Sequence, residues 1–195
     1  MSVPKLPAGH QVGPVDYNRL VDAVTQVVTS STRPSPAAEG MLIYETDTDK
    51  ILAYNGSAWV AVAYLGARDT YTPGWTGDGG NPVLGNGTLS GRYRLLGKQL
   101  SCGIVVQPGT TTTFGTSTYR FSIPAGLTFL GTGTCSGFFW DNSAGGGFGL
   151  TGQFNNGGST VACYVNSTNA VVAPAVPATW ANADFLTLTI EAEVN

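Results

Sequence analysis

The stretch Phe185-Leu186-Thr187-Leu188-Thr189-Ile190-Glu191-Ala192-Glu193-Val194 decides the fold. Leu186, Leu188 and Ile190 fall on one side of an extended chain, and Thr187, Thr189 and Glu191 fall on the other. That is the period-two pattern of a strand with one buried face. Working outward, Arg92-Tyr93-Arg94-Leu95-Leu96, Cys102-Gly103-Ile104-Val105-Val106, Tyr119-Arg120-Phe121-Ser122-Ile123-Pro124 and Val161-Ala162-Cys163-Tyr164-Val165 are runs of the same kind. Gly, Asn, Pro and Thr turns separate them, and no helical period appears from residue 71 to the end. Many short strands at turn spacings of about ten residues predict an antiparallel β-sandwich or jelly roll over 70–195. The chain as a whole is expected to be mainly β.

Upstream, Gly40-Met41-Leu42-Ile43-Tyr44-Glu45-Thr46-Asp47-Thr48-Asp49-Lys50-Ile51-Leu52-Ala53-Tyr54-Asn55-Gly56-Ser57-Ala58-Trp59-Val60-Ala61-Val62 reads as a small β-meander over 40–63. Thr46-Asp47-Thr48-Asp49 makes its first turn and Asn55-Gly56 its second, since Asn and Gly both tolerate the positive φ of a tight hairpin. Its apolar side chains need a neighbour to cover them. Residues 32–39, with Pro34 and Pro36, read as a linker.

Residues 14–31 predict a short helix. Pro14 suits a first turn, Asp16 places negative charge near the N-terminus, and Tyr17, Leu20, Val21, Val24, Val27 and Val28 recur at spacings of three and four. The stripe is valine-rich and barely two heptads long, so such a helix makes sense only against partners. Those six residues either pack on the chain's own domain or, the reading favoured here, are the candidate interface of a short parallel bundle at a symmetry axis. Residues 1–13 form a Pro/Gly-rich extended arm.

Composition narrows the chemistry. The 195 residues carry 9 Lys+Arg against 12 Asp+Glu, a net charge of −3, and only 11% are charged, well under the ~25% of ordinary domains. Nucleic-acid binding needs clustered cations and is excluded as an expectation. No apolar run reaches the ~18 residues of a membrane span, so no membrane insertion is expected. His10 is the single histidine, which removes most His-dependent catalysis and most zinc sites. Cys102, Cys135 and Cys163 form no CxxC pair and read as reduced core fillers. Glu45, Asp47 and Asp49 alternate but lack the glycine and closing glutamate of a calcium loop. Asp69, Asp78, Asp141, Asp184, Glu191 and Glu193 are scattered rather than paired as a glycosidase requires, and Lys98 is the only lysine after Lys50. No catalytic residue, metal or cofactor is therefore expected.

Aromatics beside small polar residues are a different signal. Phe138-Phe139-Trp140-Asp141-Asn142, Trp75 and Trp180 could hold sugar rings by stacking and hydrogen bonding. Trp75, Trp140, Asn142 and Trp180 are the candidate glycan contacts.

The order of these parts carries a resemblance. Pro7-Ala8-Gly9-His10 with Asp16-Tyr17-Asn18-Arg19-Leu20, the meander with its Thr46-Asp47-Thr48-Asp49 and Tyr54-Asn55-Gly56-Ser57-Ala58-Trp59 signatures, Gly91-Arg92-Tyr93-Arg94-Leu95-Leu96-Gly97-Lys98, and Trp180-Ala181-Asn182-Ala183-Asp184-Phe185-Leu186 resemble parts of bacteriophage tail and fibre proteins. The meander is the most specific of these. The resemblance implies a homotrimeric virion-surface protein made in the bacterial cytoplasm, with a stem, a β-meander collar over 40–63 and a jelly-roll head over 70–195. The expectation built on it is docking to other virion proteins through the arm at 1–13 and contact between the head and a host receptor or glycan. It implies no catalytic residues. The alternative it leaves open is a head fibre or decoration protein mounted on the capsid.

Overall fold

The structure, a computed structural model, describes residues 25–195. Two compact units divide the chain between Ala67 and Arg68, and no helix occurs among the described residues.

The first unit holds a four-stranded sheet of β1 (Gln26–Val28), β2 (Leu42–Glu45), β3 (Lys50–Tyr54) and β4 (Trp59–Tyr64), in that spatial order. Strands β2 to β4 are the expected meander. Asn55 Oδ1 accepts from the amides of Ser57 and Ala58 and so closes the second turn. Strand β1 is the departure. The described end of the expected 14–31 helix, residues 25–31, is strand and turn, with Gln26, Val27 and Val28 paired in parallel with Ile43, Tyr44 and Glu45. Tyr17, Leu20, Val21 and Val24, like the arm at 1–13, lie outside the described residues. Adjacent β-branched residues fit a pleated strand better than a helix, and the free edge of β2 supplies the ladder that an isolated Val-Val pair lacks. A helix stripe would put Val27 and Val28 on one side; the strand sends them to opposite faces.

The expected linker at 32–39 belongs to this unit as well. A parallel pair needs a long crossover, and residues 29–41 provide it. Ser30 donates from its amide and hydroxyl to Asp47 at 2.9 and 2.6 Å, Arg33 pairs with Glu45, and the Gly40 amide bonds Tyr54 O at 2.8 Å.

The second unit is one curled, wholly antiparallel sheet of nine strands: β5 (Asp69–Tyr71), β6 (Trp75–Gly77), β7 (Thr88–Leu96), β8 (Gln99–Gln107), β9 (Tyr119–Ser122), β10 (Gly133–Asp141), β11 (Gly146–Phe154), β12 (Thr160–Val165) and β13 (Phe185–Glu193). Their spatial order is β5-β7-β8-β13-β10-β11-β12-β9-β6. The two edge strands, β5 and β6, are consecutive in the chain with three residues between them. Four Cα steps reach at most about 14 Å, so the sheet must curl until its edges are neighbours. Hydrogen bonds across that seam hold it: Tyr71 OH donates to Ser122 O at 3.1 Å, and the Gly74 amide donates to Ser122 Oγ at 2.7 Å.

The curl gives the unit an inside. β13 contributes Leu186, Leu188 and Ile190, all buried as the alternation requires, and β8 contributes Leu100, Cys102, Ile104 and Val106. The three thiols are free and buried. Strands β10 and β11 are the glycine-rich pair whose strand character the sequence obscures. Gly152 is bare because a Cβ there would collide with Cys135 Sγ and Val161.

Candidate functional site

The candidate site is the outer surface of the curled sheet where β10, β11 and β13 meet. In β10, alternation turns Phe139 inward, where it is fully buried, and leaves Phe138 and Trp140 outward. Phe138 is 38% exposed. Two cross-strand rows define the surface. One is Val105–Thr187–Phe138–Gly149, and the other is Phe185–Trp140–Gly147. Neither row contains a charged residue.

Ring geometry makes the rows a platform. The rings of Phe138 and Trp140 lie 6.4 Å apart with only 26° between their planes, and Phe185 sits 6.3 Å from Phe138. A Cβ on Gly147 would come within 2.5 Å of the Phe138 ring. Glycine there leaves room for the Phe138 ring to lie over the strand backbone, and the residue keeps 38% of its surface exposed. Aromatic faces carry the negative end of the ring quadrupole and stack on apolar faces with polarised C–H groups.

The turn beside the platform is built from two carboxylates that are already committed. Asp141 Oδ1 accepts from Ser143 Oγ at 2.7 Å and from the Ala144 amide at 2.9 Å. The Ser143 hydroxyl, with the Ala144 amide behind it, holds the Asp141 carboxyl below the usual carboxylate range. Asp184, fully buried, accepts from the amides of Asn142 at 2.9 Å and Ala181 at 2.7 Å, tying this turn to the start of β13. The Asn142 side chain is left at the exposed rim.

Of the four expected glycan contacts, Trp140 and Asn142 lie together here. Trp75 and Trp180 do not: they are 7% and 2% exposed and belong to the core. Their rings lie 5.6 Å apart, and Trp180 sits 4.7 Å from Phe139 and 5.2 Å from Tyr119. Curling brings the edge strand of Trp75 against the loop of Trp180, a long-range event that no local pattern announces. Phe185 is the member that sequence reasoning missed. Its register opposite Trp140 follows only once β13 pairs with β10.

Other groups weighed from the sequence fall apart in space or are occupied. Glu45 pairs with Arg33, Asp47 takes the Ser30 hydroxyl, and Asp49 accepts from Tyr44 OH at 2.9 Å. Among the described residues no three His, Cys, Asp or Glu side chains gather as a metal site. Burial pushes the Cys135 thiol up to about 12 and raises those of Cys102 and Cys163, which leaves all three poor nucleophiles. Among the described residues no helix is long and apolar enough to cross a membrane. Comparison with known proteins gives no match: no family model, no curated protein and no solved structure aligns with the chain.

Proposed function

We propose that the chain is a non-enzymatic bacteriophage virion protein, a trimeric tail-fibre or tail-tip appendage. Its second unit, in this reading a head of the sandwich or jelly-roll kind, contacts a host receptor or glycan. The arm at 1–13 docks it to other virion proteins, and the meander serves as a collar. One observation carries the binding role: an uncharged platform of Phe138, Trp140 and Phe185 stands outward on a domain whose core is complete without it. Large rings left outside a filled core are surface put to use. A platform without charge, beside carboxylates that are already satisfied, suits a neutral sugar or an apolar patch rather than an anion.

The test is binding of the full chain to an array of bacterial surface polysaccharides, followed by titration of the best binder. Phe138→Ser with Trp140→Ser abolishes binding while the melting temperature of the second unit stays within a few degrees. Gly147→Val weakens binding by displacing the Phe138 ring. Undiminished binding by the double variant would remove the platform from the reading. Absence of any polysaccharide or cell binding would favour the capsid-mounted alternative.

A further inference from the structure

Among the described residues, the first unit leaves one side of its sheet uncovered, and the crossover decides which. Residues 29–41 must pass over one face to join parallel strands, and the Arg33–Glu45 pair marks that face as the one of Ile43, Glu45 and Leu52, all buried. The opposite face consists of two cross-strand rows, Val27–Tyr44–Ile51–Ala63 and Leu42–Ala53–Val60. None of these seven residues is charged. Val27 is 69% exposed and Leu42 44%. The one polar group on the face, the Tyr44 hydroxyl, is turned aside to donate to Asp49, so the ring offers apolar surface.

Size makes this face consequential. The first unit spans 67 residues, Met1–Ala67, and below about 70–80 residues a single core rarely supplies more than a few kcal/mol, so such units are commonly helped by disulfides, a metal or oligomerisation. Residues 25–67 contain no cysteine, and no metal-type cluster occurs among the described residues. Of these three devices, oligomerisation is the one that the described residues leave open. A neutral face can meet its own copy without bringing like charges together.

We infer that this face is where copies of the chain meet, the small sheets of three protomers packing Val27, Leu42, Tyr44 and Val60 around a common axis. The inference rests on the trimeric reading above and names its contact. Val27 takes part and Val28, on the covered face, does not.

Sedimentation equilibrium on the full chain tests it, with Val27→Glu/Leu42→Glu as the variant and Leu96→Glu, an exposed apolar site on the second unit, as the control. The wild type and the control are trimeric. The double variant is monomeric, with the thermal unfolding of its second unit unchanged. The milder Val27→Thr/Leu42→Thr pair weakens association about tenfold or more, since each apolar side chain withheld from burial forfeits at least a decade in the constant. A trimer that survives both variants overturns the face assignment and leaves the trimer standing. A wild-type chain that is monomeric at every concentration overturns both.

Discussion

The two sheets of this chain face the same requirement, to take apolar side chains out of water, and meet it differently. The second unit closes nine strands on themselves, so every inward row finds a partner within the same unit, and Phe129, Phe139, Leu186 and Ile190 reach zero exposure. The described residues of the first unit form four short strands and a crossover that shields one side. Four of the exposed large apolar residues, Val27, Leu42, Val62 and Leu65, come from its few dozen residues. Closure makes the larger sheet self-sufficient and frees its outer surface to carry rings such as Phe138. On the inference drawn above, the smaller sheet has no such freedom, and its open face is structural need. On that reading, exposed apolar residues mean different things in the two places: surplus on the second unit, shortage at the small sheet.

The sharpest way to break that contrast is to damage the closed core. Phe139→Ala removes a ring packed against Trp180 and Phe148 and should cost the second unit about 3–5 kcal/mol, read by urea denaturation. It should leave the oligomeric state as it was. A cost below about 1 kcal/mol would show that the interior is loosely filled and the contrast overdrawn.

A smaller effect comes from acid, and it should touch both units. The Arg120 guanidinium, through its bond to Asp78 at 2.8 Å, lowers the Asp78 carboxyl in the second unit, and the Ser30 hydroxyl lowers Asp47 in the first. A carboxylate whose folded pKa is depressed stabilises the fold above its unfolded pKa, near 3.9, and that contribution is lost as pH falls through the folded value. Melting temperatures should therefore hold from neutral pH down to the carboxylate range and decline below it. Asp78→Asn should flatten the decline for the second unit alone. A fall in stability that starts near neutral pH would point to another group.

Much of this architecture was legible in the residues. Strand β13 shows its faces by alternation alone, and the meander announces itself by the 46–49 and Asn55-Gly56 turns. What escaped reading is what distant pairing decides. Tyr17 to Val28 satisfies a helical spacing, yet Val27 and Val28 are strand, because the edge of β2 competes for them and spacing cannot display that edge. In Phe138-Phe139-Trp140 aromatics occupy both faces, so hydrophobicity does not tell inside from outside. Register with β11 and β13 does. Trp75 and Trp180 look like Trp140 in sequence, but the curl buries them. Half of the candidate glycan site was thus readable, Trp140 with Asn142. Phe185 entered it through strand pairing.

The central claim, that one sheet stands alone and the other depends on its copies, is tested most directly by hydrogen–deuterium exchange of the full chain across a dilution series. Amides of β2 to β4 should exchange faster as the protein is diluted, while those of β8, β10 and β13 stay protected at every concentration. Protection in the small sheet that does not change with concentration, and equals that of the large one, would contradict it.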